Sequence, residues 1–504
     1  MEPTVLPLDA ALDRVGFGLY SCMLLVLTGM IIISFSFVVY SNTVLIPLSS
    51  CELNTNIAQR GLMAAMPSLG SIVGAIFWGY LGDTKGRRKM LLISLLLGAG
   101  LNALSSISLN WIMLIVIQSV SSVLVSGQYP LSMTLLSECV PLDKRNLVLI
   151  LVTSIFLFSQ GLMAVIAIPI APLGFSYYMP FLGIHWTPWR AIALVYSIPS
   201  VVSLVWLFFM QDSPKFVLEN DQAERALKIL QSIYKVNNLG SKKTLEVAAV
   251  VRKRQSEMVN QKLSLLEKLK PFIRPPLRRK IIIITTLYAF QFMWPFKVWL
   301  PTIANQMMSI IETGKGSDLT LCRIIRLSFK DPSSDDCSLN TTALSLVMTV
   351  CAVQSLANLT FTPFLNRVGR RNMVIMITSF CGISGIFVNI MPHAITSFLL
   401  FTIQLIGMIC MGYYTAIAVS VFPTAYRAMG VTIAVTGNRI SMFFAIQILN
   451  YMLKHFCEVG FFIFCILFTS SSLITLLLPD DRISMTPRTS IVHSVFGLKP
   501  PNNN

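Results

Sequence analysis

Charge is what this sequence lacks. Only 12% of its 504 residues are charged, against 54% hydrophobic and a mean hydropathy of +0.71, where a soluble domain carries about 25% charged residues. A chain this poor in charge cannot cover itself in polar surface, which excludes an ordinary soluble protein. Acids are scarcer still, 22 against 39 bases, and they fall at the ends of apolar runs or between them. With no carboxylate in mid-run, proton symport through a buried acid is disfavoured, and so is a strong counter-ion for a cationic substrate. Facilitated diffusion, exchange of an organic anion, or coupling through a less obvious group stay open. The ten cysteines form no C-x-x-C pair and no metal-like spacing with the four histidines, so no metal and no cofactor is expected. No Ser/His/Asp grouping points to an enzyme. Thr313-Gly-Lys-Gly-Ser317 lacks the spacing of a phosphate-binding loop, which excludes an ATP-driven pump. Regular ten-residue alternation is missing too, which leaves helices rather than a barrel to cross a membrane.

What is present is a succession of apolar runs of about 20 residues, the length that spans a bilayer. Twelve spans are expected, at 17–47, 61–81, 90–108, 111–138, 147–171, 190–210, 281–300, 342–364, 373–391, 395–421, 430–452 and 460–478. The first is expected to be a signal anchor, not a cleaved signal. The net charge of +17 would suggest nucleic acid in a soluble protein, but no aromatic-basic platform accompanies it and no nucleic-acid partner is expected. The bases concentrate in alternate connections: Arg14, then Lys85 to Lys89, Lys144 and Arg145, the 211–280 segment, Arg367 to Arg371, Arg427 and Arg482. By the positive-inside rule these are cytoplasmic, which places both termini inside.

The turn Gly79-Tyr80-Leu81-Gly82-Asp83-Thr84-Lys85-Gly86-Arg87-Arg88 joins two of these runs, and Leu365-Asn366-Arg367-Val368-Gly369-Arg370-Arg371 echoes it. Pro141 to Arg145 is likewise echoed by Pro423 to Arg427. The offsets agree, 283 residues from Asp83 to Asn366 and 282 from Pro141 to Pro423. Two motifs repeating at one offset imply two parallel six-helix halves, each made of two three-helix units of opposite topology. The chain therefore divides into a cytoplasmic tail (1–16), an N-terminal half (17–210), a basic linker with short helices (211–280), a C-terminal half (281–478) and a second cytoplasmic tail (479–504). Ala223 to Ile233 has helical apolar spacing within the linker, whose Lys242, Lys243, Arg252, Lys253, Arg254 and Arg278 to Lys280 either orient the chain or hold anionic lipid. The segment 301–341 is expected to be the largest extracytoplasmic loop. It offers Cys322 and Cys337 for a disulfide, with Cys51 and Cys457 as competitors, and Asn340 as a glycosylation candidate close to the eighth span.

Five places resemble the synaptic vesicle glycoprotein 2 branch of the major facilitator superfamily, near the organic ion and sugar porters. They are Gly79–Arg88; Gly127-Gln-Tyr-Pro130 through Glu138 and Pro141–Arg145; Asp212-Ser-Pro-Lys-Phe216; Leu277-Arg-Arg-Lys280 leading to Trp299-Leu-Pro301; and Phe422-Pro-Thr-Ala-Tyr-Arg427 with Pro479-Asp-Asp481. Against the synaptic vesicle glycoproteins themselves, the N-terminal tail and the 301–341 segment are short, and the chain is more similar to small insect relatives. Gln118 stands where proton-linked members have an arginine, Asn366 stands opposite Asp83, and Ser420 opposite Glu138.

The resemblance implies an all-α membrane protein of the major facilitator fold that rocks two halves about a midplane site. Its cytoplasmic gate would use Gly79, Asp83, Gly86, Arg87, Arg88, Glu138, Arg145, Asp212, Arg367, Arg370, Arg371 and Arg427. Polar residues at mid-span depth are the cavity candidates: Gln128, Gln160, Tyr288, Gln291, Gln354, Asn358, Gln404, Tyr413, Tyr414, Asn438 and Arg439. A lone glutamine is commonly a helix–helix hydrogen bond, whereas Arg439 is a fixed cation fit for an anionic substrate. Lys297, read as lying near the end of the seventh span, is expected to snorkel to the interface. Two functions follow. One is a monomeric secondary transporter or facilitator of a small organic solute, an organic anion among the options, in the plasma membrane or a vesicle membrane. The other is a transporter-shaped protein for binding or vesicle trafficking with little flux.

Overall fold

The structure is a computed structural model describing residues 4–181, 183–238, 245, 247–251, 270–275, 277–312, 318–328, 339–422 and 427–478. Eleven helical segments among these are long and apolar enough to cross a membrane. In order they are Leu19–Ser49, Ile57–Gly82, Arg87–Ser105, Trp111–Cys139, Leu142–Ala167 and Pro188–Phe208, then Leu277–Glu312, Thr341–Phe364, Ala394–Ala418, Met429–His455 and Cys457–Thr475. The ninth expected span is present as the helix Arg370–Phe387. It opens on Arg370-Arg371-Asn372, which dilutes its apolar character and keeps it out of the eleven. Counting Arg370–Phe387 as the ninth, the spans are numbered one to twelve in chain order.

Helices form because a backbone inside lipid must satisfy its own polar groups, and side chains mark their starts. Asn56 and Gln59 make a reciprocal capping box at the second span, Asn110 accepts from Met113 N at the fourth, and Asn340 from Thr342 N at the eighth. Gly86 and Gly369 end and restart the chain at the two elbows with φ of 97° and 85°, a backbone state that side chains disfavour.

Two prolines within helices have specific partners. Proline lacks the N–H that would reach the carbonyl four residues back. Pro67 thereby frees the carbonyl of Met63, and Asn42 Nδ2 donates to it at 2.6 Å. Pro301 frees the carbonyl of Lys297, and Gln160 Nε2 donates to it at 3.0 Å. Compensated in this way, Pro301 does not end the seventh span. The helix Met293–Glu312 runs through it, which corrects the expectation of a loop beginning at 301. Of the 301–341 segment, Leu321–Ser328 is also helical.

The third span packs on the sixth and the ninth on the twelfth, away from the partner half. Between halves the fifth span packs along the eighth and the second along the eleventh, while Asn42–Ser49 of the first meets the seventh. The linker contributes the helices Pro214–Glu219 and Ala223–Asn237 and the strand Val247–Val251. That strand pairs in parallel with Thr4–Pro7 of the N-terminal tail. Asn237 accepts from Tyr20 N and donates to Gly16 O, at 2.9 and 3.0 Å, so tail, linker and first span are joined at one end of the bundle.

Cys322 is bonded to Cys457, with Cα atoms 5.6 Å apart, and not to Cys337 as expected. The turn between the eleventh and twelfth spans brings Cys457 beside Leu321–Ser328, a proximity that sequence distance concealed. Cys337 lies outside the described residues, as do Lys242, Lys243 and Arg252 to Arg254 of the linker. Cys51 is also disulfide-bonded.

Candidate functional site

At the elbow end, Arg87 Nη2 donates to Glu138 Oε1 at 3.3 Å, both side chains buried, while Ser213 Oγ donates to Glu138 Oε2 at 2.5 Å. Lys215 Nζ approaches the same carboxylate at 3.9 Å, and the Arg87 guanidinium lies over the Phe216 ring at 5.1 Å. Glu138 is thus the hub that joins the third and fourth spans to the Asp212–Phe216 element. Arg88 instead closes the sixth span, donating to Leu207 O at 3.3 Å and Phe208 O at 2.5 Å, a favourable place for a cation at a helix C-terminus.

The repeat keeps half of this arrangement. Arg371 Nη2 donates to Leu476 O just past the twelfth span, at 2.9 Å, as Arg88 does at the end of the sixth. Arg370, the counterpart of Arg87, finds a backbone carbonyl, Ala416 O, at 3.1 Å in place of an acid. Other gate candidates do not join the hub. Arg145 lies 3.9 Å from Asp9 of the tail, Asp212 accepts from the adjacent Ser213 N at 2.9 Å, and Arg367 is exposed. Gly79 borders open space, whereas a Cβ on Gly86 would come within 2.9 Å of Phe216. The side chains of Asp83 and Arg427 lie outside the described residues.

Among the described residues, two cations bond across the interface between halves. Lys297, expected to snorkel, is 5% exposed. Because the helix continues to Glu312, it stands in mid-span and cannot reach the surface. Its ammonium donates to Leu157 O of the N-terminal half and to Gln354 Oε1 of the C-terminal half, each at 3.0 Å. The half-buried Arg439 of the eleventh span donates through Nη1 to Ser71 O of the second. Asn358 Nδ2 adds a bond to Ser154 Oγ at 2.8 Å. Gln160, Gln354, Asn358 and Arg439 are therefore brought to one interface, together with Lys297. The apolar residues after Pro301, namely Ile303, Ala304, Met307, Met308, Ile310 and Ile311, are the signal that could have placed Lys297 in mid-span.

A family profile, Major Facilitator Superfamily, matches residues 15–314. The chain belongs to the major facilitator superfamily. Mouse (Mus musculus) synaptic vesicle glycoprotein 2B is 27% identical over 233 residues, 45% of this chain and 34% of that protein. The putative transporter svop-1 of Caenorhabditis elegans is 26% identical over 231 residues, 46% of this chain and 42% of that one. The match thus spans well under half the length of either relative. The E. coli xylose transporter XylE aligns over 92% of this chain in two forms. Its inward-open form gives a TM-score of 0.63 at 15% identity and 97% of its own chain. Its partially occluded inward-open form gives 0.65 at 16% identity and 98%. At that identity the likeness is one of fold.

In this superfamily member the remaining cavity candidates that have hydrogen-bond partners find them within one half. Gln128 accepts from Ser34 Oγ at 3.2 Å and donates to Ser94 O at 3.3 Å. The seventh span breaks at residues 290–292. There Gln291 Nε2 donates to Gly407 O at 2.9 Å, while Asn438 and Ser441 of the eleventh span donate to Tyr288 O at 2.6 Å and Ala289 O at 2.8 Å. The break's carbonyls are satisfied by these neighbours. Tyr288 OH pairs with Thr415 Oγ1 at 2.6 Å and Tyr414 OH with Ser471 Oγ at 3.4 Å. Gln404 and the Tyr413 hydroxyl are buried without a hydrogen-bond partner among the described residues, and so is Gln118 at the expected arginine position.

Two further sites lie at the opposite end. Glu52 accepts from Thr187 Oγ1 (2.8 Å), Trp189 Nε1 (2.6 Å) and Arg190 Nη2 (2.6 Å), while the buried Arg190 also donates to Ser106 O and Ser108 O at 2.8 and 2.9 Å. This ion pair pins three connections of the N-terminal half together, and sequence reasoning missed it. Its signal was one acid in a base-poor segment and one arginine at the start of a span. Asn340 Nδ2, the atom a glycan would occupy, donates to both Glu312 oxygens at 2.7 and 2.8 Å.

Proposed function

We propose that the protein moves a small organic anion across a membrane by alternating access. The observation that carries this reading is the pair Lys297 and Arg439, held between the halves on neutral acceptors. Neither has a carboxylate in salt-bridge range among the described residues. Carbonyl and amide dipoles solvate a buried cation without cancelling its charge, so an incoming anion finds positive potential in a low-dielectric setting. Lys297 bonds both halves, and an anion that takes its ammonium competes with the bond to Leu157. Substrate binding and the freedom of the halves to rock are thereby linked. By the positive-inside rule the elbows, linker and both termini face the cytoplasm, with plasma or vesicle membrane as the place of residence.

The test is uptake by proteoliposomes of anionic, cationic and neutral organic solutes, with and without a pH gradient. Anions should enter, and Lys297→Met or Arg439→Ala should cut their uptake at least about ten-fold, the effect of losing one charged hydrogen bond. Absence of flux for every solute class, with folding intact, would overturn transport and leave the binding or trafficking role.

A further inference from the structure

We infer that the pocket beside Lys297 takes an organic acid built on a flat aromatic ring, a substrate class that rests on the anion reading above. The pocket lies between the halves, too narrow to hold a ring as they stand, and is lined by Tyr40, Phe156, Gln160, Trp294 and Lys297. Its walls are aromatic. Tyr40 of the N-terminal half stacks on Trp294 of the C-terminal half, with centroids 5.3 Å apart and planes 24° from parallel. Phe156 sits 6.3 Å from the first and 6.0 Å from the second. Because Tyr40 and Trp294 belong to different halves, rocking the halves apart breaks their stack and bares the face of each ring. A flat ring restores that contact and a saturated one does so poorly, since stacking depends on apposed π faces.

The polar groups at this place suit an acid rather than a polyol. Thr43 and Ser159 also line the pocket, but their hydroxyls donate to the carbonyls of Tyr40 and Phe156 at 2.8 and 2.7 Å. Buried without a hydrogen-bond partner among the described residues are Trp294 Nε1, a donor, and Gln160 Oε1, an acceptor. Lys297 and the Trp294 N–H offer two donors to the two oxygens of a carboxylate, and Gln160 Oε1 offers an acceptor to a ring hydroxyl or amide. A neutral sugar would leave the ammonium without a counter-charge.

The experiment is direct binding of tritiated benzoate, cyclohexanecarboxylate and benzamide to the full-length protein in nanodiscs at neutral pH, where both acids are ionised. Benzoate should bind roughly three- to ten-fold more tightly than cyclohexanecarboxylate, the range expected of one aromatic contact, and more tightly than benzamide. Trp294→Leu should bring the two acids level and weaken both, because the indole N–H is lost with the ring; Trp294→Phe, which lacks the same N–H, should keep the preference for benzoate, which also checks folding. Equal binding of the two acids by the unmodified protein, or a preference that survives Trp294→Leu, would overturn the aromatic inference and leave the anion reading standing. If neither acid binds to folded protein, both fall.

Discussion

Gln160 of the fifth span donates to the carbonyl of Lys297 in the seventh, the one that Pro301 deprives of its helical donor. Lys297 answers with its ammonium on the carbonyl of Leu157, one turn back along the same fifth span. The two halves are thus stitched at one residue by bonds running in opposite directions. A proline, usually read as a helix stop, here creates the acceptor that joins them.

Gln160→Leu should leave that carbonyl buried without a donor and destabilise the protein by about 1–3 kcal/mol. Adding Pro301→Ala supplies a backbone N–H four residues on and should recover most of the loss. Thermal unfolding of the two single variants and the double variant in nanodiscs measures this. Strict additivity would show that the proline and the glutamine are not coupled.

The unequal elbows give a second expectation. Arg87→Met leaves the buried Glu138 carboxylate with Ser213 and the more distant Lys215 but without its buried cation, a loss of up to about 3–5 kcal/mol, whereas Arg370→Met removes a bond to the neutral Ala416 carbonyl and should cost about 1–2 kcal/mol. Combining Arg87→Met with Glu138→Gln should recover part of the larger loss. Equal effects at the two elbows in the same unfolding assay would mean that the Glu138 hub does not distinguish the halves.

Gly79 and Gly86 belong to one motif but differ in need. Gly86→Ala meets both a positive φ and the Phe216 ring, and should destabilise by about 1–3 kcal/mol. Gly79→Ala faces open space on a helix and should be neutral or gain up to about 1 kcal/mol from helix propensity. Melting temperatures that rank the two variants the other way would show that the motif's first glycine, not its third, shapes the elbow.

Membrane class, two related halves and the elbow positions were legible in the sequence. They follow from apolar run length, charge placement and glycine chemistry, all of which act over a few neighbouring residues. The recurrence at 283 residues even anticipated that Arg370 and Arg371 would mirror Arg87 and Arg88 in place. The candidate site was legible only in part. Gln160, Gln354, Asn358 and Arg439 do meet between the halves, while Gln128, Tyr288 and Gln291 are occupied inside one half. A polar residue within an apolar run has the same local signature in either case.

The amino-acid sequence by itself determined that this chain must cross a membrane as helices, where it must turn, and which turns carry bases. Only the tertiary structure decided that Cys322 bonds Cys457, that Arg145 meets Asp9, and that Lys297 is a buried inter-half cation. These pairings join residues from 135 to 140 positions apart, or 136 for Asp9 and Arg145. Partner choice over such spans depends on how whole helices pack. Lys297 could not be placed until it was known that Pro301 interrupts one hydrogen bond of its helix without interrupting the helix.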